Sequence, residues 1–332
     1  MKILSLNAGS SSLKIELFET GKTFKSLGKV HFDGIGLKTC RLIFKSPEKT
    51  FEENKKIKTH KKALKYTFKK LIPKTEIKAI GHRVVHGGDK YTKPRKIDKK
   101  VIKNLEKLIP LAPLHNPSNI QVIKLCQKLF KNTTQLAIFD TEFYKTMPEK
   151  AFLYGLPYDF YKIHKIKKYG FHGISHKYVT KEAIKILKNK NAKIITCHLG
   201  NGSSITASKG GKAIDTSMGF TPLEGVIMGT RSGSIDPGII LHLHKSLKIS
   251  MKEIENILIN HSGLKGISEI SSDMRNIYKK SKKKNKRAIL AIEILAYQVA
   301  KYCGSFAAAL SAPPTIVFTG GLGQKAFLRT KT

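Results

Sequence analysis

Acidic residues are scarce in this chain: 23 Asp and Glu stand against 62 Lys and Arg, a formal net charge of +39. Tryptophan is absent. The only cysteines, Cys40, Cys126, Cys197 and Cys303, are too widely spaced for a CxxC pair. They argue against a metal or redox motif and suit small buried hydrophobes in a reducing, cytoplasmic setting. No apolar stretch reaches the roughly 20 residues that a helical membrane span requires. Met1 to Asn7 reads at once as a short strand, without the basic flank and apolar region of a secretion signal. A soluble, non-exported chain is expected. Neither GxxxxGK[ST] nor GxGxxG occurs, so a Walker A loop and a Rossmann fingerprint are both excluded.

An excess of positive charge ordinarily suggests nucleic acid or a membrane surface as partner. The distribution argues for neither. Lysines are scattered over nearly every segment, and the one dense run, Lys279 to Arg287, suits a solvated loop before a helix. Arginine is rare: seven residues, of which Arg83, Arg231 and Arg275 fall inside glycine- or acid-containing clusters. Their forked donors suit phosphate and carboxylate, as scattered lysines do not.

With 332 residues and 40% hydrophobic content the chain can build two cores. Lys2 to Leu6 and Leu13 to Phe18 read as strands on either side of the small-residue turn Asn7 to Ser12. Ala79 to Val85 and Gln135 to Phe139 read as strands, and Ile97 to Leu108 and Asn119 to Leu129 as amphipathic helices. Pro148 to Pro157 reads as the passage into a second domain. That half opens with strand Lys193 to Cys197, a turn His198 to Ser204 and strand Ile205 to Ser208, and closes with strand Thr315 to Phe318. NAGSSSLKI and LGNGSSITA are weakly similar, which predicts duplicated α/β domains facing a central cleft.

Three small-residue turns, Asn7 to Ser12, His198 to Ser203 and Gly320 to Gly323, each follow a β-type run. Such turns let backbone N–H groups and hydroxyls approach phosphate oxygens. Any one of them reads equally well as an ordinary hairpin, whereas three together point to phosphate. Arg83 in GHRVVHGG and Arg231 in GTRSG are glycine-flanked guanidinium groups, each alone as fitting for a plain surface. Asp140 directly follows strand QLAIF, where α/β enzymes place a catalytic or metal-associated carboxylate and where turn-capping is the bland alternative. His115 and His172 lie among prolines, glycines and aromatics, as core histidines also do.

Ten segments in order, LNAGSSSLK, GHRVVHGG, PLAPLHNP, FDTEF, YGFHGISH, HLGNGSS, DTSMGFTPLEG, MGTRSGSIDPG, SSDMR and FTGGLG, together resemble the acetate kinase family across the whole chain. Propionate kinases are the near competitors, and butyrate kinases are less similar at these segments. The resemblance implies an α/β fold of two ribonuclease-H-like domains, as in the actin, Hsp70 and sugar-kinase superfamily, around a nucleotide cleft. Domains are expected at 1–150 and at 151–332, the second binding nucleotide.

Carried over by motif, Asn7 resembles a Mg²⁺-site residue, Mn²⁺ being the alternative ion. Lys14, His198, Leu199, Gly200, Asn201 and Gly202 resemble phosphate contacts. Asp273, Met274 and Arg275 resemble the adenosine-binding triplet, with Gly321, Leu322 and Gly323 continuing the ATP pocket. Arg83 resembles the carboxylate-binding arginine, His172 and Arg231 the pair that stabilises the transferring phosphoryl group, and Asp140 the catalytic acid. Val85, Leu114, Phe171 and Pro222 match the apolar pocket for the acyl methyl. The implied reaction is reversible transfer of phosphate from ATP to acetate, by a homodimer with no nucleic-acid or membrane partner. Because a carboxylic acid with pKa near about 4 is already ionised at neutral pH, Asp140 is expected to orient Mg²⁺ or Arg83 rather than abstract a proton.

The family pattern continues past FTGGLG through a segment that returns to the first domain and supplies a glutamate to the Mg²⁺ site. Here Gln324 and Lys325 stand where the family has Glu-Asn, and the sequence stops at Thr332. A C-terminally truncated member is expected. Its competing readings are a propionate kinase, an inactive nucleotide-binding remnant and, from the charge, a basic nucleic-acid binder.

Overall fold

The computed structural model describes residues 1–74, 76–113 and 115–325. Leu114 lies outside the described residues. The chain divides into two compact units, Met1–Glu142 and Phe143–Thr332.

In the first unit, alternation of apolar and polar residues produces strands that bury one face. Strands β1 (Lys2–Ala8), β2 (Ser12–Thr20), β3 (Phe24–Asp33), β4 (Cys40–Lys45) and β5 (Thr50–Lys55) form an antiparallel meander. After helix α1 (His60–Lys70), strand β6 (Ile77–Val84) pairs in parallel with β1. Next come the short β7 (Arg95–Lys96), helices α2 (Lys99–Lys107) and α3 (Asn116–Leu129), and strand β8 (Thr134–Phe139). The sheet order is β5-β4-β3-β2-β1-β6-β8-β7.

Leu4 and Leu6 of β1, Leu13 and Ile15 of β2 and Ile80 of β6 are buried with Ala63 and Leu64 of α1 and Val122 and Cys126 of α3. Each such leucine contributes about 2 kcal/mol by leaving water. The register pairs Asn7 with Lys14 and Leu6 with His82. Because side chains alternate along a strand, Asn7, Lys14 and Arg83 share the other face of the sheet. The helices have clear starts: Thr59 accepts from the Lys62 N–H at 3.2 Å, and Asp98 accepts from the Val101 N–H at 2.7 Å. Helix α3 begins three residues before its apolar periodicity does, because Pro117 stands in its first turn, where the missing N–H costs nothing.

The second unit opens with short helices α4 (Glu149–Phe152) and α5 (Tyr158–Lys162), followed by α6 (Gly173–Leu187). Strands β9 (Lys193–Leu199), β10 (Ser203–Lys209) and β11 (Lys212–Thr216) are antiparallel. Helices α7 (Pro237–Lys245), α8 (Met251–Asn256), α9 (Gly263–Ser268), α10 (Met274–Ser281) and α11 (Lys286–Leu310) lead to β12 (Thr315–Thr319) and the single turn α12 (Gly320–Gly323). The order β11-β10-β9-β12 places β12 parallel to β9. Lys279–Ser281, part of the basic run read as loop, form the last turn of α10, where cations suit the carbonyl end.

Strand β9 is buried on both faces, and its alternate residues meet different helices. Ile195, Cys197 and Leu199 share a core with Ala291, Ile292, Leu295, Val299 and Cys303 of α11. Ile194 packs with Ala183 of α6, and Thr196 reaches His176 of the same helix. The α11 core residues recur at helical spacing, the apolar stripe of a helix laid on a sheet. Both units therefore contain one motif: a hairpin whose first strand also pairs in parallel with a later strand, β2-β1-β6 and β10-β9-β12. The weak likeness of NAGSSSLKI to LGNGSSITA has this structural counterpart, and the mixed-sheet fold is that of two ribonuclease-H-like units.

Candidate active site

In the first unit the site is built where β1, β6 and β8 end and β2 begins. His60, the first residue of α1, holds the Asn7–Ser12 turn through Nε2 at 2.9 Å from the Gly9 carbonyl, and the Gly9 N–H donates to the Ser12 carbonyl at 2.8 Å. Asp140, just past β8, is 1% exposed, and its N–H donates to the Val84 carbonyl. Its carboxylate accepts Arg83 Nε at 3.1 and 3.0 Å and also Arg83 Nη2. Arg83 Nη1 donates to Asn7 Oδ1 at 3.1 Å.

Arginine has five N–H donors in a rigid fork. The side of Arg83 that carries Nε is committed to Asp140 and one N–H of Nη1 to Asn7, which leaves two N–H bonds on the terminal nitrogens without a partner among the described residues. Burial disfavours the guanidinium charge, but the attraction of Asp140 outweighs it and raises the Arg83 pKa. Desolvation, with Lys29 and Arg83 nearby, lowers the pKa of Lys14. Val85 is buried, its N–H donating to Asn119 Oδ1 at 3.1 Å, and Asn119 Nδ2 donates to the Ala8 carbonyl at 2.7 Å. Asn116 accepts the His86 N–H at 3.3 Å and donates to the His86 carbonyl at 3.3 Å. Asn119 thus ties the end of β6 beyond Arg83 to β1 while Asn116 braces His86 beside it, and no role was assigned to either from sequence. Their signal was a pair of amides three residues apart on the otherwise apolar face of α3.

In the second unit the turn Gly200–Gly202 follows β9 and lies beside the His172 and Arg231 side chains. A Cβ on Gly202 would lie 3.3 Å from His172 Cε1, 3.4 Å from His172 Nε2 and 3.8 Å from Arg231 Nη1. The turn is closed by Ser203, whose Oγ accepts the Gly200 N–H at 3.3 Å. The Gly229 N–H donates to the Asn201 carbonyl at 3.0 Å, fixing the Arg231 loop on the turn. Arg231 Nη1 also donates to the Pro222 carbonyl at 3.1 Å. His172 begins α6 in left-handed backbone, φ 57°, which a non-glycine residue adopts at a cost and which its surroundings must hold. Phe171 beside it is buried, and its carbonyl accepts from Tyr144 Oη at 2.6 Å.

Parallel pairing of β9 and β12 brings Thr319 beside His198, so the Gly200 and Gly320 turns leave the sheet at the same carboxyl end, where open α/β sheets bind ligands. Gly320 has φ +82°, and a Cβ there would meet Leu199 backbone atoms at 2.5 to 3.1 Å, so only glycine fits. Gly321 has open space where a Cβ would go, while Leu322 and Gly323 pack back toward the β9 core. Asp273 caps α10 by accepting the Arg275 N–H at 2.9 Å, and the Arg275 side chain returns to its carboxylate. That hydrogen bond holds the Asp273 pKa below the ordinary carboxylate value. Met274 is buried.

Within the first unit Asn7, Lys14, Arg83, Val85 and Asp140 are thus gathered, and within the second His172, His198–Gly202, Arg231 and the Gly320 turn. Among the described residues there is no group of three or more His, Cys, Asp or Glu able to hold a metal. Asn7 and Asp140 are hard oxygen donors, but Arg83 already engages both. This donor set fits a cation that arrives on nucleotide phosphates and borrows one or two protein oxygens. It does not fit a resident, protein-caged ion.

A family model described as the acetokinase family matches residues 2–331. The acetate kinase of Pseudothermotoga lettingae is 47% identical over 342 residues, covering 100% of this chain and 84% of the relative. That of Thermoanaerobacterium thermosaccharolyticum is 49% identical, covering 98% and 84%. Among solved structures, Porphyromonas gingivalis acetate kinase superposes with TM-score 0.89 at 40% identity, covering 99% of this chain and 86% of that one. A propionate kinase from Francisella tularensis gives 0.93 at 42%, with the same coverage.

Proposed function

The chain belongs to the acetokinase family, and from that premise we propose how its residues divide the work of moving a phosphoryl group from ATP to acetate. It is a phosphotransferase with a carboxyl group as acceptor and with ATP or ADP as co-substrate. One acetate oxygen forms a bond to the γ-phosphorus as the bond from phosphorus to the bridging oxygen of ADP breaks. No proton is transferred, because the acceptor is already a carboxylate.

The observation that carries the assignment is the convergence of His172 and Arg231 on the Gly202 turn. Phosphoryl transfer is governed by positioning and by neutralising charge on the equatorial oxygens. His172 and Arg231 supply donors for those oxygens, and His198–Gly202 with Gly321–Gly323 supply backbone against the nucleotide. Asp273–Arg275 borders its adenosine. The two remaining N–H bonds of Arg83 take the acetate carboxylate. Asp140 acts by fixing Arg83, an ionised partner rather than a base. When present on the nucleotide, Mg²⁺ or Mn²⁺ neutralises β- and γ-phosphate charge, and Asn7 is the oxygen this chain offers it. Val85 in the first unit and Phe171 and Pro222 in the second are each proposed to contact the acyl group of the substrate, as is Leu114, which lies outside the described residues.

A hydroxamate assay for acetyl phosphate, with this chain, ATP and either Mg²⁺ or Mn²⁺, tests the reading. Formation of product supports it, and its absence with intact nucleotide binding would establish an inactive remnant. Propionate is the second reading, favoured by the likeness to the Francisella tularensis propionate kinase. One extra methylene changes discrimination by about 1–3 kcal/mol, so kcat/KM for the two acids measured side by side decides it. We propose a cytoplasmic homodimer as the working form, for which light scattering of the purified chain is the measurement. Among the described residues no helix is long and apolar enough to cross a membrane.

A further inference from the structure

Behind His172 runs a chain of buried hydrogen bonds that the transfer step itself does not touch. His172 Nδ1 lies 2.9 Å from Ser204 Oγ, which lies 2.7 Å from His176 Nε2. His176 Nδ1 lies 2.5 Å from Thr196 Oγ1. His176, Thr196 and Ser204 are each 0% exposed. A neutral imidazole has one donor and one acceptor nitrogen, so each bond in the chain fixes the next.

The direction is set at Thr196. Apart from His176, the acceptor available to its hydroxyl among the described residues is the Thr206 carbonyl at 3.5 Å, the outer limit for such a bond. The Thr196 proton therefore goes to His176 Nδ1. His176 then donates from Nε2 to Ser204, and Ser204 donates to His172 Nδ1. We propose that Thr196, His176 and Ser204 are positioning residues that lock His172 in the tautomer protonated at Nε2, the nitrogen facing the Gly202 turn. His172 then offers a donor toward that turn whether its ring is neutral or charged. Burial keeps His176 neutral, its pKa lying well below the ordinary histidine value, as the relay requires. This assignment rests on the reading of His172 as a donor to the transferring phosphoryl group.

The test uses the full chain carrying ¹⁵N-histidine, without nucleotide, at a pH above the ordinary histidine range. Long-range proton–nitrogen spectra report each tautomer, and His172 is assigned as the resonance pair missing from His172→Gln. His172 is expected with its proton on Nε2, and Thr196→Val or Ser204→Ala should move it toward Nδ1. In the assay Ser204→Ala should lower kcat about ten- to hundred-fold, with the ATP KM changed less than about two-fold. Ser204→Thr, which keeps the hydroxyl, should recover most of the rate. A wild-type His172 protonated at Nδ1, or a tautomer indifferent to both substitutions, overturns the relay even where one variant folds poorly. If the wild-type chain forms no acyl phosphate, the functional reading fails, while the spectra still decide the relay.

Discussion

Arg83 and Asp140 form a two-point ion pair in which the carboxylate is 1% exposed while the arginine side chain keeps 30% of its surface. The buried partner holds the guanidinium, and the guanidinium keeps its terminal nitrogens outward. Removing one member of a buried pair costs about 3–5 kcal/mol because it strands the other charge. Arg83→Ala is therefore expected to lose stability and to raise the acetate KM. In Arg83→Ala/Asp140→Asn the stranded charge is gone, so stability should return while the KM stays high. Denaturant midpoints and acetate saturation curves for both variants separate the two effects, and an acetate curve unchanged in Arg83→Ala removes it from the substrate site.

Arg231 donates from Nη1 to the carbonyl of Pro222 at 3.1 Å, on the loop that the Gly229 N–H fixes to the Gly200–Gly202 turn. Arg231→Ala should leave nucleotide binding near wild-type and lower kcat by about 10³-fold, the smaller end of what a transition-state arginine supplies in phosphoryl transfer. Calorimetric ATP titration beside initial rates checks this. A near-wild-type rate would remove the arginine from the reaction.

Much of this site was legible in sequence because phosphate turns and arginine loops are local. Asn7–Ser12, His198–Ser203 and Gly320–Gly323 were marked by residue type alone, the second narrowing to Gly200–Gly202 because His198 and Leu199 end β9 and Ser203 begins β10, and Asp140 was marked by following an apolar strand. The partnerships were not legible. That Asp140 grips Arg83 depends on β6 and β8 being neighbours, 57 positions apart. The Asn119 and His176 contacts depend on helices docking onto strands. The meander β3–β5 also went unread, since Phe24–Lys55 is crowded with lysines and its period-2 burial shows only once paired. Ordered family motifs supplied the roles that local chemistry could not.

Two glycines with opposite surroundings separate the proposed catalytic turn from the proposed nucleotide surface. A Cβ on Gly202 would press on His172 at 3.3 Å, whereas a Cβ on Gly321 meets nothing within 4 Å. Gly202→Ala should shift the imidazole and lower kcat at least about tenfold, in keeping with the sensitivity of transfer to small misplacements. Gly321→Ala should leave the fold intact, and in helical backbone should even stabilise it by up to about 1 kcal/mol. If nucleotide approaches there, it will raise the ATP KM alone. Melting temperatures and separate KM and kcat values for the two variants are the measurements, and an unaltered ATP KM in Gly321→Ala would place nucleotide elsewhere.

The buried histidines make stability depend on pH in a definite direction. Burial lowers His82 from 6.5 to about 4, despite its hydrogen bond to Gln135. Between these values the unfolded chain holds a proton on this ring and the folded chain does not, so acid favours unfolding. The contribution is complete above about pH 6.5 and disappears as pH falls toward 4, amounting to about 3 kcal/mol over the full range. His176, shifted the same way, adds to the acid loss in the second unit. Urea midpoints at pH 7 and pH 5 should therefore fall for the wild-type chain. In His82→Gln, which cannot titrate, the fall should be smaller even if the variant is less stable at pH 7. Equal falls in both proteins would show that His82 is not a source of the acid sensitivity.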